Sequence, residues 1–496
     1  MAPQIKLYDE IFKILHKSLI LIGRTQTPSS MPENSDSFDI IVVGTGAAGT
    51  SAALSAAETC KAYDKNLRIA MLDRNGEDNW GGNSRWTTAN FRMLDGDHLY
   101  PTFEEDIIRN TKGKANPEYV HKLAVEAVDT IHWIRDNGVN LEERPADWTA
   151  NDFKMGPKGG GLEIITALRV AAEKSGVEVM LETTAYKLVQ GETGAVCGIL
   201  VSDKKGKGRK LNSKAIVLAG GGFEGNYEML TKYMGPKAGY FRLDTPATKD
   251  HMGECINMAL EIGAAPSGEF AGYHGDLVDP RSTAFRPIIR CFPYGILVNN
   301  QGERFIDEGM DDMSNAFEYM ARATFDQPDH KSFFIFDETM REVVSKNVKT
   351  EFPPLKANTL KELCEMIGLP RERLEKTVQD LNKSVQPGAF IAAKRDGKHT
   401  LGLSPPKSNW AMQIDKPPFY CYPAEGTMMF TYGGVATDPM GRVVYTNGAP
   451  IPGLYSAGEM TGLYYHHYTP GTSVLRALTF GRISGFEAAR LILGET

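Results

Sequence analysis

Short apolar runs alternate with helix-like segments in the first half of the chain. Residues 38–43 form a nearly continuous apolar run, which predicts a buried strand of a parallel sheet. A glycine-rich turn follows it, and the alanine-rich residues 50–60 favour a helix. Residues 67–72 form a second apolar run that ends in Asp73. This order of strand, helix and strand predicts a βαβ unit.

The alternation continues to about residue 218 and then changes character. It predicts helices over 116–136 and 162–174 and strands over 177–181, within 185–201 and over 215–218. From about residue 270 to 423 the chain holds more proline, methionine and charge, and we expect an inserted α+β region there. The pattern therefore predicts an α/β protein whose Rossmann-like domain is interrupted by an α+β domain.

The first 36 residues differ from the rest. Residues 5–22 place apolar side chains at near-helical spacing and predict an amphipathic helix, and the Ser-, Pro- and Thr-rich residues 25–37 predict a linker. No apolar stretch has the length of a secretory signal or a membrane span. We expect this helix to pack on the body or on a partner subunit, with peripheral contact to a membrane as the alternative.

Composition excludes some classes of function. The 496 residues suit two or three lobes, and a formal charge of −7 argues against a nucleic-acid partner. The six cysteines form no CxxC pair, so we expect neither a disulfide framework nor a metal site. These features favour a cytoplasmic protein.

The glycine-rich turn has the spacing of a dinucleotide fingerprint. Gly44 permits the tight turn, Gly46 lets the backbone approach a pyrophosphate, and Gly49 lets helix and strand pack closely. Asp73 follows 24 residues after the last glycine and can accept hydrogen bonds from the adenosine ribose. The fingerprint alone does not separate FAD from NAD.

Two later features favour FAD. A second glycine-rich loop at residues 80–86 can bring backbone amides to the pyrophosphate or the flavin. Residues 453–462 return the carboxylate of Glu459 to the cofactor, and the last helix starts near residue 470. No separate NAD(P)H domain is visible. Beyond the fingerprint glycines and Asp73, the predicted cofactor-binding residues are Ala47, Ala48, Arg74, Gly81, Gly82, Asn83, Ser84, Ala185, Ala219, Gly220, Gly221, Glu459, Ser473, Val474 and Leu475.

Six segments together resemble the fumarate reductase/succinate dehydrogenase flavoprotein superfamily. They are GTGAAG at 44–49, GGNSR at 81–85, VLAGGGFEGN at 217–226, GILVNNQGERFIDEG at 295–309, FTYGGVATD at 430–438 and GLYSAGE at 453–459. The resemblance implies an FAD-binding domain of residues 37–268 and 426–496, interrupted by a capping domain at 269–425. It also implies hydride transfer between flavin N5 and a carbon beside a carbonyl or carboxyl group. Because residues 82–90 lack the histidine that carries covalent flavin, FAD is expected to be non-covalent.

Three positions separate the chain from the fumarate reductases of that superfamily. Phe430 stands where those enzymes carry a histidine, and the stretch before Met313 holds only acids where they carry an arginine as proton donor. At the third position, where those enzymes carry another arginine before the last helix, this chain has residues 468–470. The segment at 465–468 and Phe430 are more similar to tricarballylate dehydrogenase-like proteins. The 3-ketosteroid Δ1-dehydrogenases share the aromatic-Pro-Gly pattern, so a bulky enone is the alternative substrate.

Desaturation beside a carbonyl or carboxyl group needs a base for the α-proton. The candidates are Tyr468, His466, Arg322 and Tyr319 for catalysis and His274, Arg290 and His467 for substrate binding. The expected partners are a small-molecule substrate and an electron-transfer protein, a quinone or O2. A flavin protein that only relays electrons is the alternative of a different class.

Overall fold

The protein is described by a computed structural model over residues 36–143 and 155–495. The amphipathic helix predicted for residues 5–22 and almost all of the linker after it lie outside these described residues. Within the described ranges, no helix is both long enough and apolar enough to cross a membrane.

Strands and helices alternate along the described chain. The strands are β1 (Asp36–Ser37), β2 (Ile40–Val43), β3 (Ile69–Leu72), β4 (Leu141–Glu143), β5 (Met155–Pro157), β6 (Glu178–Met180), β7 (Thr183–Gln190), β8 (Val196–Asp203), β9 (Gly208–Asn212), β10 (Ala215–Leu218), β11 (Arg242–Leu243), β12 (Pro266–Ser267), β13 (Tyr273–His274), β14 (Leu277–Val278), β15 (Ile296–Val298), β16 (Lys331–Asp337), β17 (Leu355–Ala357), β18 (Phe419–Met428), β19 (Phe430–Thr431), β20 (Gly434–Val435), β21 (Arg442–Val444) and β22 (Pro450–Ser456). The α-helices are α1 (Ala47–Ala62), α2 (Phe103–Asn110), α3 (Pro117–Asp136), α4 (Gly160–Lys174), α5 (Tyr227–Met234), α6 (Glu254–Glu261), α7 (Met313–Phe325), α8 (Arg341–Ser345), α9 (Leu360–Ile367), α10 (Arg371–Ser384) and α11 (Ser473–Leu493).

A six-stranded sheet forms the centre of the nucleotide-binding part. Its strand order is β21-β22-β10-β2-β3-β6, and every neighbouring pair is parallel except β21 with β22. All four residues of β2, β3 and β10 are buried, as their apolar runs predict. Because these strands are parallel, the turns that follow them meet at one edge of the sheet.

Helices α1 and α11 cover this sheet and pack closely on each other. A Cβ added at Gly481 would lie 2.3 Å from the carbonyl oxygen of Ala48, and one at Gly485 would lie 2.1 Å from that of Ala52. Only glycine permits this approach of the two helix backbones, since a larger residue would push them apart. The packing holds the N-terminus of α1 and that of α11 beside the same edge of the sheet.

A second six-stranded sheet is built mostly by the inserted region. Strands β11, β18, β16 and β15 follow one another in it, and β14 and β17 also pair with β18. Two clusters of buried apolar side chains are drawn only from residues 277–424, so this region has a core of its own. The predicted fold class, an α/β protein with an α+β insertion, is confirmed. The boundaries at 268/269 and 425/426 stay predictions.

Candidate active site

A deep cleft opens at the carboxyl edge of the parallel sheet and reaches the inserted region. It encloses about 1910 Å³ of space, its open mouth included. One part, which we call the cofactor end, is lined by the glycine-rich turns 44–48, 81–84 and 219–221 and by Asp73. The other part, the substrate end, is lined by His274, Arg286, Arg290, Phe317, Phe430 and Tyr468.

The glycines of the cofactor end hold the backbone where a side chain would not fit. Gly44 has φ +107°, and a Cβ on it would lie 2.3 Å from the carbonyl oxygen of Ala219. A Cβ on Gly49 would lie 1.9 Å from the carbonyl oxygen of Gly44. Gly49 therefore packs the turn and does not line the cleft, and a contact between Gly49 and the cofactor stays a prediction.

Asp73 closes β3 and accepts hydrogen bonds from the neighbouring turns. The Thr45 hydroxyl and the Gly81 amide both donate to Oδ2, and the Asn75 amide donates to Oδ1 at 2.8 Å. These contacts fix a carboxylate at the end of the second strand of the βαβ unit, where a ribose hydroxyl can compete for it.

Two helix N-termini face the cleft without a side-chain cap. Gly46 precedes α1 and Thr472 precedes α11, and neither makes a capping bond through its side chain. The Ala47 amide donates to Ser84 Oγ and the Ser473 amide donates to the Tyr468 hydroxyl. The later amide groups of these first turns and the positive ends of the helix dipoles can still face an anion. The glycine cradle, the fixed carboxylate and the uncapped termini fit the pyrophosphate and ribose of FAD.

Almost all predicted cofactor-binding residues line this one cleft. Those that do so are Gly44, Gly46, Ala47, Ala48, Asp73, Arg74, Gly81, Gly82, Asn83, Ser84, Ala185, Ala219, Gly220, Gly221, Glu459, Ser473 and Val474. Leu475 is the exception besides Gly49, because it lies on the inner face of α11 and is fully buried in the core.

Three titratable side chains meet beside the cofactor end. One ligand atom from each of Glu224, His251 and Glu459 lies within 4.8 Å of the others. Burial raises the pKa of Glu224 to about 7. Burial and the neighbouring Glu224 carboxyl raise the pKa of Glu459 well above its usual range, and burial lowers the pKa of His251. The two carboxyl groups therefore bind protons at higher pH than exposed glutamates do.

The substrate end is built from aromatic rings around one histidine. The His274 ring lies 4.5 Å from the Tyr468 ring, 4.9 Å from Phe430 and 5.1 Å from Phe317, measured between centroids. Phe430 and Tyr468 meet edge to face at 5.2 Å. These contacts bring β13, β19, α7 and the loop before α11 together.

Two arginines at the substrate end are each matched by a buried acid. The Arg290 guanidinium donates to Asp276 from Nε at 3.1 Å and lies 4.1 Å over the Phe317 ring. Arg286 lies 3.4 Å from Asp244, and burial raises the pKa of this carboxyl to about 6. The cationic charge here is thus largely compensated by the protein itself.

Glu318 is the carboxylate behind His274. It is 1% exposed, and its Oε2 accepts a hydrogen bond from His274 Nδ1 at 2.6 Å. Its Oε1 accepts from the Tyr432 hydroxyl at 2.7 Å and lies 3.0 Å from the Arg322 guanidinium. Although burial alone would raise the pKa of Glu318, Arg322 and the donors around it hold that pKa far below its usual range.

The predicted catalytic and substrate-binding residues divide between the cleft and its surroundings. Tyr468, His274 and Arg290 line the cleft. The other four do not: His466 is exposed, His467 is buried behind the cleft, Tyr319 stacks on His467, and Arg322 donates to the backbone carbonyl groups of Tyr273 and His466.

Several residues that line the cleft or lie directly behind its lining have no signature in the sequence. Glu318 lies 44 residues from His274, and Asp244, Asp276 and Arg286 come from loops with no motif. The sequence shows acidic residues and arginines between residues 244 and 290. Such charged residues are equally typical of a solvent-exposed surface, so they do not predict a site.

Known proteins place these features in a family. The family model described as "FAD binding domain" matches residues 39–474. A vinyl phenol reductase of Lactiplantibacillus plantarum is 27% identical, with 92% of this chain and 97% of that protein covered. A fumarate reductase (cytochrome) of Shewanella frigidimarina is 26% identical, with 92% and 77% covered. The solved open conformation of a flavocytochrome c3 fumarate reductase superposes with a TM-score of 0.71 at 25% identity, covering 93% of this chain and 79% of that one.

The family model spans most of the chain and its residues build the cleft described above. The predicted superfamily and the predicted FAD cofactor are confirmed, whereas the resemblance to tricarballylate dehydrogenases finds no specific counterpart. The chain belongs to the FAD-binding family of fumarate reductase-like flavoproteins, and it is an FAD-dependent oxidoreductase that acts on carbon–carbon bonds of a small molecule.

Proposed function

We propose that the protein reduces, or in the reverse direction forms, a C=C bond conjugated to an aromatic ring or a carbonyl group. The substrate in this proposal carries no more than one carboxylate. The observation that carries it is the ring-lined substrate end, where Phe430, Phe317 and Tyr468 surround His274. Aromatic walls bind a flat conjugated molecule by stacking and by the burial of apolar area.

The charge balance of the substrate end supports the same conclusion. A di- or tricarboxylate needs cations that the protein leaves unmatched, because a buried anion must be paired to offset its loss of hydration. Here Arg290 and Arg286 face Asp276 and Asp244. Phe430 replaces the histidine that the fumarate reductases place before the same turn. The named activity of the vinyl phenol reductase, a relative of which 97% is covered by the match, supports the same class of substrate.

The chain's own residues have three tasks in this reaction. The cofactor end holds FAD, which when bound supplies or takes up the hydride. The aromatic side chains exclude water and orient the alkene. Tyr468, whose hydroxyl lies 3.0 Å from Ser473 Oγ, and His274 can hydrogen-bond a phenol or carbonyl oxygen of the substrate. The proposed electron donor or acceptor of the bound FAD is a partner protein, a quinone or O2.

A tricarballylate dehydrogenase-like activity is the second candidate. Its support is the presence of two arginines, Arg286 and Arg290, at one wall of the cleft. A guanidinium can exchange an aspartate partner for a substrate carboxylate, since both offer the same two oxygens. A bulky enone of the ketosteroid kind belongs to the first candidate, because it is uncharged and conjugated.

Four unsaturated compounds that differ in their number of carboxylates test the proposal. The reduced holoprotein is mixed anaerobically with 4-hydroxystyrene, 4-hydroxycinnamate, a 3-ketosteroid enone or cis-aconitate, and the return of the oxidised flavin band is followed. We expect 4-hydroxystyrene or the enone to reoxidise the flavin at least about tenfold faster than cis-aconitate. Reoxidation by cis-aconitate alone would establish the tricarboxylate alternative. If none of these compounds reoxidises the flavin, the electron-relay alternative gains support.

One substitution sharpens this test. Phe430→His restores the residue type of the fumarate reductases at the centre of the substrate end. We expect it to shift the preference toward 4-hydroxycinnamate over 4-hydroxystyrene by about tenfold, because an imidazolium can pair with the added carboxylate. Phe430→Leu is the matched control, which removes the ring without adding a charge.

A further inference from the structure

His274 and Glu318 form a pair that the proposed reaction has so far used only for binding. The pair joins β13 to α7 and is buried on all sides but the cleft. Glu318 accepts hydrogen bonds from Tyr432, His467 and His274, and it forms an ion pair with Arg322. A carboxyl group with so many donors is an anion that accepts hydrogen bonds only.

The anionic state of Glu318 sets the tautomer of His274. Because the carboxylate cannot donate, the proton of the hydrogen bond sits on His274 Nδ1. The second ring nitrogen, Nε2, has no hydrogen-bond partner among the described residues, and the ring lines the cleft. The pair thus has the arrangement of a base whose orientation is fixed by an acid.

The other candidates for proton transfer are occupied. His467 uses Nδ1 toward Glu318 and Nε2 toward the Asn315 carbonyl oxygen. Arg322 is bonded to backbone carbonyl groups outside the cleft, and the Tyr468 hydroxyl contacts Ser473. The arginine that serves the fumarate reductases as proton donor has no counterpart before Met313.

We propose that His274 is the residue that moves the proton of the reaction through Nε2, and that Glu318 is its positioning residue. This inference rests on the proposed function, because it assigns the proton half of that reaction. In reduction, the C=C π bond breaks, one carbon receives the hydride supplied by the reduced cofactor, and the other receives the proton from protonated Nε2. Neutral His274 remains and takes a new proton from solvent. Desaturation is the reverse, with the C–H electron pair forming the π bond as Nε2 accepts the proton.

The charges around His274 shift its pKa, and its role in proton transfer sets the direction in which the rate changes with pH. Burial lowers the pKa of His274, Arg290 lowers it further, and Glu318 and Asp276 raise it. Arg322, His467, Tyr432 and Tyr468 are the other charged or titratable groups next to the pair. Reduction needs the protonated ring, so its rate falls as pH rises through this pKa. Desaturation needs the neutral ring, so its rate rises through the same pKa.

Three variants of the holoprotein test the assignment. The rate of flavin reoxidation by 4-hydroxystyrene is measured from about pH 5 to about pH 8, in H2O and in D2O. His274→Gln keeps a polar nitrogen but cannot carry a proton, and we expect a rate about 10²- to 10⁴-fold lower, without the pH inflection and without the solvent isotope effect. Glu318→Gln should move the inflection to lower pH, because the charge that raises the pKa of His274 is gone. His330→Gln, outside the cleft, is the matched control and should leave all three readouts unchanged.

Each outcome has a distinct meaning. If His274→Gln keeps the wild-type rate and inflection, the inference is wrong although the proposed function stands. If the wild type reduces none of the alkenes, the proposed function fails, and the pair is tested by ¹⁵N NMR of histidine-labelled protein. The expected signal is a protonated Nδ1 and an unprotonated Nε2 for His274, lost in His274→Gln and displaced in Glu318→Gln. The opposite tautomer overturns the inference. If His274→Gln fails to retain FAD, the inflection of Glu318→Gln decides.

Discussion

Glu224 and Glu318 lie near opposite ends of the cleft, each 1% exposed and each beside a histidine, yet their acidities move in opposite directions. The pKa of Glu224 is raised to about 7, while that of Glu318 falls far below its usual range. Glu224 accepts from the Asn83 amide and meets a second carboxyl, Glu459. Glu318 faces a guanidinium, two imidazoles and a phenol. Burial alone therefore does not determine the pKa of either glutamate. The number and charge of the hydrogen-bond donors around each carboxyl group determine it.

The largest expected effect comes from removing the well-paired carboxylate. Glu318→Ala leaves Arg322 and two histidines without their anion, so we expect the free energy of unfolding to fall by about 3–5 kcal/mol. Denaturant titration at neutral pH measures it. Glu425→Ala removes the partner of Arg242 at the half-buried edge of the inserted sheet and should cost only about 1 kcal/mol or less. Equal losses in the two variants would contradict the comparison.

Glu224→Gln tests the poorly paired carboxyl group, and we expect this substitution to raise the free energy of unfolding. A raised pKa in the folded state means that the wild type loses stability as pH rises from 4.5 to about 7, and the full cost is present above that range. A rise of the Glu224 pKa from 4.5 to about 7 corresponds to a loss of at most about 3 kcal/mol in the free energy of unfolding. We expect the variant to be more stable than the wild type by about 1–3 kcal/mol at about pH 8 and by almost nothing near pH 4.5. Urea titrations at both pH values measure the free energy of unfolding. An equal gain in stability at both pH values would show that the ionisation of Glu224 is not the cause.

A third variant isolates one donor of Glu318. Tyr432→Phe keeps the ring and removes the hydroxyl bonded to the carboxylate, so we expect a loss of about 1.5–3 kcal/mol. Tyr464→Phe is the control: this ring is equally buried, but its hydroxyl meets the neutral Thr472, and the loss should be nearer 1 kcal/mol. A thermal unfolding series compares them, and the order of the two losses is the decisive result.

The cofactor end could be predicted from the sequence because its chemistry is local. Gly44, Gly46 and Asp73 lie within one βαβ unit, and the turn after β2 needs a residue with positive φ wherever it occurs. Backbone amides bind the pyrophosphate, so the glycines that expose them are visible in the sequence. Leu475 stays a prediction as a cofactor-binding residue, because its side chain lies in the core while those of the neighbouring Val474 and Arg476 line the cleft.

The substrate end could not be predicted in the same way, because its partners come from distant segments. Nothing in the sequence connects Glu318 with His467, which lies 149 residues further along the chain. The two neighbouring histidines illustrate the limit. His466 has φ +62°, which turns its own side chain to the surface and that of His467 inward. A pattern of residue types does not reveal such a reversal.

The close packing of α1 against α11 has a consequence for the order in which a ribosome delivers the protein. The central sheet is incomplete until β22 pairs with β10, and the turn at Gly46 gains its second helix only with Ser473–Leu493. The glycine-rich fingerprint is synthesised early. Among the described elements, β22 and α11, which pack beside it, are synthesised last. The inserted region can bury its own core while the nucleotide site is still unfinished. We therefore expect a nascent chain to capture FAD only after α11 has been synthesised, and chains that stop short of α11 to remain apoprotein.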